Sequence, residues 1–159
     1  MAPPPGHLSF ASSHAQASPL ETIELDYGTQ VLWPDHCVQG TWGAEFHSAL
    51  ETSTCELILR KGFRHAIDSY SAFFENDKIT ATGLSGYLRT RGFDRVYLTG
   101  LALDFCVLYS ALDGQREGFT VQVIEDACRA IDVDGSLADA QRQIDQAGVT
   151  RIQSTDLDR

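Results

Sequence analysis

Cys106 is the residue of this sequence best placed for nucleophilic chemistry. It follows a short apolar run at residues 96–98 that ends at Gly100, and from Val107 onward apolar residues recur at helical spacing. A thiol between the carboxyl end of a strand and the start of a helix faces unpaired N–H groups and the positive end of the helix dipole. Both favour the nucleophilic thiolate. The alternative is a small buried hydrophobic side chain at a helix start, and position alone does not choose between the two.

Lys61 is the second residue with a chemical interpretation. It directly follows residues 55–60, which the pattern predicts to be a strand, just as Cys106 follows a predicted strand at residues 95–99. We therefore expect Lys61 and Cys106 at the same carboxyl edge of a sheet, where an ammonium group favours the thiolate. The alternative is a solvated lysine at a strand end.

The elements that would position these residues alternate along the second half of the chain, with glycines at the links. Residues 1–27 and 29–41 are predicted to be loop, because they are rich in Pro and Ser or mix aromatic and polar residues. This order predicts parallel βαβ units, and hence an α/β three-layer sandwich in a single domain. The predicted strands are residues 55–60, 95–99, 120–125 and 150–153, and the predicted helices are residues 82–90, 106–117 and 136–147.

Composition excludes several classes of partner. The 159 residues are 43% hydrophobic and 21% charged, enough apolar material for one layered core. The formal charge of −10, without a basic run, argues against nucleic acid and anionic membrane as partners. No apolar stretch is long enough to span a bilayer, and a cytoplasmic location is expected. The four cysteines form no C-x-x-C pair and are expected to be reduced thiols.

Three segments resemble the isochorismatase-like cysteine hydrolases. Gly-Leu-Ala-Leu-Asp-Phe-Cys-Val at residues 100–107 is similar to the nucleophile segment of that family. Arg-Lys-Gly at residues 60–62, followed by Asp-Ser-Tyr-Ser-Ala-Phe at residues 68–73, is similar to its catalytic-lysine segment. Trp-Pro-Asp-His-Cys-Val-Gln-Gly at residues 33–40 resembles the metal segment of one branch, the nicotinamidases. The three segments occur in the order that the family has.

The resemblance implies roles around the nucleophile. Cys106 would be the nucleophile and Lys61 its supporting cation, and the backbone N–H groups of Ala102 and Cys106 would form the oxyanion hole. The family also holds the peptide between the positions of Leu101 and Ala102 in the cis form.

The resemblance further implies a substrate clamp and a metal. Trp33, Tyr70 and Phe105 flank the matched segments and could form aromatic walls around a flat pyridine ring, and the alternative is that each of them belongs to the core. His36 matches a metal ligand of nicotinamidases, and His7 matches a histidine that joins the metal shell in some members. Imidazole ligands suit zinc, iron or manganese, so the ligand type does not choose the divalent metal.

The sequence departs from the family pattern at its beginning. Nothing matches the family's catalytic aspartate, and Met1 and Pro3 stand where two further metal ligands should be. The expectation is a nicotinamidase of this superfamily that lacks its N-terminal part, with N-terminal strands missing from the sheet. Such a chain is expected to be inactive as it stands unless another carboxylate, such as Asp104 or Asp68, takes over the acid–base role.

Three functions remain under consideration. The first is a nicotinamidase that converts nicotinamide and water to nicotinate and ammonia through a cysteine thioester, an activity of NAD salvage. The second is another amidase of the same superfamily, and His36 is the discriminating feature, because most branches without a bound metal have no need of it. The third is a non-catalytic interaction subunit. The oligomeric state is open, with a homo-oligomer among the alternatives.

Overall fold

The computed structural model describes residues 1–157 and divides them into two compact units. The N-terminal unit comprises Met1–Ser69 and Glu75–Thr80, and the sheet unit comprises Tyr70–Phe74 and the chain from Ala81 onward. No helix in the described range is long and apolar enough to cross a membrane. The strands are β1 (Thr22–Leu25), β2 (Gly28–Val31), β3 (Arg95–Leu101), β4 (Thr120–Arg129) and β5 (Thr150–Ile152), and the α-helices are α1 (Leu84–Thr90), α2 (Leu108–Arg116) and α3 (Ser136–Gln146).

The sheet unit is built on three parallel strands in the order β3-β4-β5. Val96 of β3 lies opposite Val121 of β4, and the register shifts after Leu98 so that Gly100 lies opposite Cys128. This arrangement confirms the predicted α/β class with a parallel sheet and the existence and type of every element predicted after residue 81. Strand β4 is four residues longer than predicted, because the bulged segment before Cys128 stays in the ladder.

The core of the sheet unit lies where the helices pack on β4. Val123, Ala111 and Ile144 are completely buried there. Gly114 of α2 permits a close approach: a Cβ atom at this position would stand 2.9 Å from Cε2 of Phe73 and 3.1 Å from Cγ2 of Val121. The absence of a side chain at Gly114 therefore sets how closely α2 packs on the sheet.

The N-terminal unit contains the antiparallel hairpin of β1 and β2, joined by the two residues Asp26 and Tyr27. Its interior is partly polar. Gln30 donates a hydrogen bond to Asp68 at 2.9 Å, and Asp68 also accepts from the backbone N–H of Ser69 at 2.8 Å. All three residues are buried, so these bonds satisfy polar groups that have lost contact with water.

Two of the predictions for the first half of the chain are wrong. Residues 55–60 form no strand; five of the six are exposed, and no strand within residues 1–157 pairs with them. The hairpin lies in segments predicted to be loop, because the link at residues 26–27 contains no glycine and lacks the usual hairpin signal.

Candidate active site

Cys106 lies in a tight turn between β3 and α2. The residues Leu103–Val107 form a π-helical turn, and the α-helix begins only at Leu108, two residues after the predicted start at Cys106. The carbonyl oxygen of Ala102 accepts the N–H groups of Phe105 at 3.1 Å and Val107 at 3.0 Å. The structure thus confirms that the cysteine sits between the carboxyl end of a parallel strand and a helix, in a turn of a kind often found at functional sites.

The peptide bond between Leu101 and Ala102 is cis, as the resemblance implied. Ala102 directly precedes the π-helical turn, and Cys106 within that turn is half-buried. The predicted oxyanion-hole residues therefore occupy a single turn of the backbone. Their role in binding an oxyanion stays a prediction.

Asp104 anchors this turn to the start of α3. Its carboxylate is buried and accepts hydrogen bonds from the backbone N–H of Ile131 at 3.1 Å, the N–H of Asp132 at 2.8 Å and the hydroxyl of Ser136 at 2.5 Å. Burial by itself raises the pKa of Asp104, but these hydrogen bonds outweigh it and hold the pKa below the ordinary value. Both carboxylate oxygens are thus engaged in positioning the turn.

Ser110 ties the same turn to a neighbouring segment. Its buried hydroxyl donates to the carbonyl oxygen of Cys106 at 2.6 Å and accepts the backbone N–H of Ala72 at 2.9 Å. Sequence reasoning missed this residue. The signal that could have found it is its position four residues after Cys106 on a predicted helix, where a serine hydroxyl can reach the carbonyl one turn back.

An aromatic cluster flanks the nucleophile. The rings of Tyr70 and Phe105 meet edge to face with centroids 5.7 Å apart, and Tyr70 lies 5.4 Å from Tyr109. Two of these residues were predicted as substrate walls, whereas Tyr109, three residues after Cys106, was missed. Half-buried aromatic faces of this kind can stack a flat ring, because aromatic pairs favour offset or edge contacts.

Lys61 belongs to the N-terminal unit and is half-buried. The prediction that it follows a strand is wrong, since residues 55–60 are irregular. Its ammonium group donates to the carbonyl oxygen of Ser69 at 2.5 Å. Burial raises the pKa of the nearby Glu75, while a hydrogen bond from Ser69 and the charges of Arg64 and Lys61 act in the opposite direction. The ammonium group of Lys61 is thus positioned by its hydrogen bond to Ser69. Its role in stabilising the Cys106 thiolate stays a prediction.

The two histidines predicted as metal ligands have different surroundings. His7 is buried, and both ring nitrogens are engaged: Nδ1 accepts the N–H of Ser9 at 3.0 Å, and Nε2 lies 3.3 Å from the carbonyl oxygen of Ile67. His36 is half-buried and has Nδ1 2.8 Å from the carbonyl oxygen of Pro34.

These surroundings do not fit a metal ion. Within residues 1–157, no three His, Cys, Asp or Glu side chains are grouped so that they could hold one. With both nitrogens of His7 engaged, a single imidazole nitrogen, Nε2 of His36, remains of the predicted ligand pair. No catalytic step is therefore derived through a metal in this chain.

Trp33, the third predicted wall residue, lies inside the N-terminal unit. Only 8% of its surface is exposed, and its backbone N–H donates to the carbonyl oxygen of Ser9 at 2.8 Å. Its carbonyl oxygen accepts the N–H of Ala11 at 2.9 Å. The structure thus shows Trp33 packed in the interior of the N-terminal unit, and its contact with substrate stays a prediction.

Comparison with known proteins identifies the relatives of this fold. The model of the isochorismatase domain matches residues 24–156. The nicotinamidase of Acinetobacter baylyi is 54% identical over 154 residues, which cover 97% of this chain and 72% of the relative. A solved nicotinamidase/pyrazinamidase structure from Acinetobacter baumanii superimposes with a TM-score of 0.96 at 58% identity, covering 98% of this chain and 75% of that one.

Two more distant structures were solved with ligands. The yeast nicotinamidase bound to the inhibitor nicotinaldehyde has a TM-score of 0.88 at 27% identity, over 96% of this chain and 76% of that one. The pyrazinamidase of Pyrococcus horikoshii in complex with zinc has a TM-score of 0.72 at 27% identity, over 96% of this chain and 72% of that one. A divalent metal is therefore found among the relatives.

Proposed function

The chain belongs to the isochorismatase family, and from this premise we propose that Cys106 is the nucleophile of a nicotinamidase reaction. Its function is that of a nicotinamidase-type amidohydrolase, an enzyme that hydrolyses a linear amide. The observation that carries the assignment of the nucleophile is the half-buried thiol in the turn after β3, beside the aromatic cluster of Tyr70, Phe105 and Tyr109.

The proposed reaction has two stages. The Cys106 thiolate attacks the carboxamide carbon of nicotinamide, and the N–H groups of Ala102 and Cys106 bind the oxyanion of the tetrahedral intermediate. The C–N bond breaks, ammonia leaves with a proton, and a thioester remains on the sulfur. Water then attacks the thioester carbon, which releases nicotinate and returns the thiol. The aromatic cluster stacks the pyridine ring, and Lys61 is assigned the supporting charge on the resemblance alone.

The acid–base step is where this chain is expected to be weak. Asp104 lies two residues from Cys106, but three donors engage its two oxygens. Asp68 is likewise engaged by Gln30 and Ser69. Neither carboxylate is arranged to carry a proton between substrate and water. We therefore propose that this chain binds nicotinamide and attacks its carboxamide carbon more readily than it completes the hydrolysis.

A test of the proposed nucleophile therefore should not require turnover. Nicotinaldehyde presents the same pyridine ring with an aldehyde in place of the amide. Its carbonyl carbon can bond to the Cys106 sulfur, and the resulting alkoxide takes up one proton to give a thiohemiacetal. We expect millimolar nicotinaldehyde to slow alkylation of Cys106 by iodoacetamide, as followed by peptide mass mapping.

Two controls make this test specific. Acetaldehyde, which has no ring to stack on the aromatic cluster, should protect Cys106 less than nicotinaldehyde does. The exposed thiol of Cys55 should be alkylated at the same rate with and without either aldehyde. Equal protection of Cys55 and Cys106, or none at Cys106, would contradict the proposal, and equal protection by both aldehydes would favour another amidase of the family.

A further inference from the structure

Ser110 is hydrogen-bonded to two separate segments of the sheet unit at once. Its hydroxyl has a single proton, which it donates to the carbonyl oxygen of Cys106 at 2.6 Å, and its lone pairs accept the backbone N–H of Ala72 at 2.9 Å. The side chain is buried, so bulk water does not compete for either bond. One oxygen atom therefore connects the turn that carries the nucleophile to the segment that contains Ala72.

Ala72 belongs to a stretch without regular helix or strand, Tyr70–Phe74, called here the Tyr70 segment. Both backbone polar groups of Ala72 are held by side-chain hydroxyls, the N–H by Ser110 and the carbonyl oxygen by Thr82 at 2.6 Å. Phe73 is buried and packs closely on α2. Because no regular element fixes this segment, its position depends on contacts of this kind.

The ring of Tyr70 is what this connection places. Tyr70 contacts Phe105, the residue before Cys106 in the turn, and Tyr109, the residue before Ser110 in α2. The aromatic cluster thus has two parts, one carried by the Tyr70 segment and the other by the turn and α2. The hydroxyl of Ser110 joins these two parts, because it bonds to the backbone of both.

We propose that Ser110 is a specificity-determining positioning residue, which holds the Tyr70 ring in a fixed place relative to the Cys106 thiol and so favours carbonyl compounds that carry a flat ring. This inference rests on the proposed function and deepens it. A substrate held by ring stacking presents its carbonyl carbon to the thiol only while the ring wall and the nucleophile keep a constant separation. Ser110 has no chemical step of its own in this role and acts through Tyr70.

Asp104 holds the same turn by different partners. Its three donors lie at the start of α3 and just before it, outside the Tyr70 segment. Asp104 therefore fixes the turn itself, whereas Ser110 fixes the turn relative to the ring of Tyr70. Loss of the Ser110 hydroxyl should accordingly change the selectivity of the site among carbonyl compounds, which a purely structural role would not do.

The first experiment measures a preference between two aldehydes. The preference is the concentration of acetaldehyde that halves the rate of Cys106 alkylation, divided by the concentration of nicotinaldehyde that does the same. Both aldehydes form a thiohemiacetal with the sulfur, but acetaldehyde has no ring, so a general loosening of the turn affects both alike. We expect Ser110→Ala to lower the preference roughly three- to tenfold, the range that one hydrogen bond supplies.

A matched pair of variants isolates the hydroxyl. Ser110→Thr keeps a hydroxyl that can bond the carbonyl group one turn back, and it should keep the preference. Ser110→Val has the same shape with a methyl group in place of that hydroxyl, and it should lower the preference as Ser110→Ala does. The circular dichroism of each variant is checked to show that it is folded, and the Thr–Val comparison decides if the alanine variant does not fold.

The second experiment is a double-mutant cycle that tests whether Ser110 acts through Tyr70. Tyr70→Leu removes the ring but keeps an apolar side chain, and it should lower the preference at least as much as Ser110→Ala. Adding Ser110→Ala to Tyr70→Leu should cause no further loss, because the ring that Ser110 places is gone. The control is Ser154→Ala, which removes a hydroxyl bonded to Asp126 outside both connected segments, and it should leave the preference unchanged.

The outcomes separate this inference from the proposed function. An unchanged preference in folded Ser110→Ala and Ser110→Val chains would overturn the inference alone. So would an equal loss in the Thr and Val variants, or effects of Ser110→Ala and Tyr70→Leu that simply add. No preference for nicotinaldehyde in the unsubstituted chain would overturn the proposed function, and this inference with it.

Discussion

Asp104 was a candidate for the acid–base role, but in the structure its carboxylate positions the turn that carries Cys106. The sequence placed a carboxylate two residues before the nucleophile, where an acid–base role was conceivable. The structure gives its oxygens three donors at the start of α3 and just before it, the N–H groups of Ile131 and Asp132 and the hydroxyl of Ser136. A buried carboxylate so engaged positions the turn of Cys106, because losing any of these bonds would leave a polar group unsatisfied.

The Asp104 carboxylate predicts an acid-sensitive fold. Its pKa is lower in the folded state than the value of about 3.9 in an unfolded chain, despite the opposing effect of burial. A lowered pKa contributes stability that is present above about pH 3.9 and is lost as pH falls through the folded-state pKa. We expect Asp104→Asn to be less stable than the unsubstituted chain at pH 7 and to lose less of its stability between about pH 5 and pH 3.

Urea unfolding at a series of pH values, followed by circular dichroism, measures both quantities. The free energy of unfolding of each chain is compared at every pH, with the denaturant dependence checked for a common slope. Identical changes with pH in the two chains would mean that Asp104 contributes nothing to the acid sensitivity.

At the scale of elements, the position of the nucleophile depends on the turn that connects β3 to α2. The π-helical turn at Leu103–Val107 directs the chain from the sheet into the helix, and Ser110 fastens the carbonyl group of Cys106 one turn later. The position of α2 in turn depends on the contact of Gly114 with Phe73 and Val121. A change in that contact should therefore alter the packing of α2, the helix that follows the nucleophile.

Gly114→Ala is predicted to destabilise the chain by about 1–3 kcal/mol, because its Cβ would overlap Phe73 and Val121 in a closely packed core. The matched control is Gly86→Ala in α1, where nothing lies within 4 Å of the new Cβ. That substitution should stabilise by about 0.5–1 kcal/mol through helix propensity. Thermal unfolding of both variants gives the comparison, and a stabilised Gly114→Ala variant would show that α2 can move away from the sheet.

The wrong prediction of a strand at residues 55–60 is also explained at the scale of elements. Strand propensity describes how a side chain fits a pleated surface with neighbours on either side, and it creates no backbone partner. Leu57, Ile58 and Leu59 have the right composition, but no strand of residues 1–157 lies alongside them. The helices were predicted more accurately because their hydrogen bonds are internal to each segment.

At the scale of the whole molecule, a nucleophile does not suffice for turnover. We expect the 159-residue chain to release ammonia from nicotinamide ~10²–10⁴-fold more slowly than the Acinetobacter baylyi relative, the usual cost of losing the group that moves protons. Lys61 and Cys106 are both present, and the two carboxylates that were considered for the acid–base role, Asp68 and Asp104, are engaged in hydrogen bonds.

Coupled measurement of ammonia release, with the relative as positive control and Cys106→Ala as negative control, tests this expectation. Turnover near that of the relative, abolished in the Cys106→Ala chain, would contradict it. Such a result would mean that a carboxylate of this chain changes its hydrogen bonds and takes the acid–base role.

The sequence by itself determined the α/β class, the order of elements after residue 81 and the strand-to-helix setting of Cys106, because local periodicity and glycine punctuation carry that information. Tertiary structure decided the rest. The hydrogen bonds of Asp104 to residues 131–136 and of Ser110 to Ala72 join segments far apart in the chain, and no local pattern encodes them. The lack of a paired strand at residues 55–60, within the described residues 1–157, is likewise invisible to propensity, since whether a segment pairs depends on the chain that packs beside it.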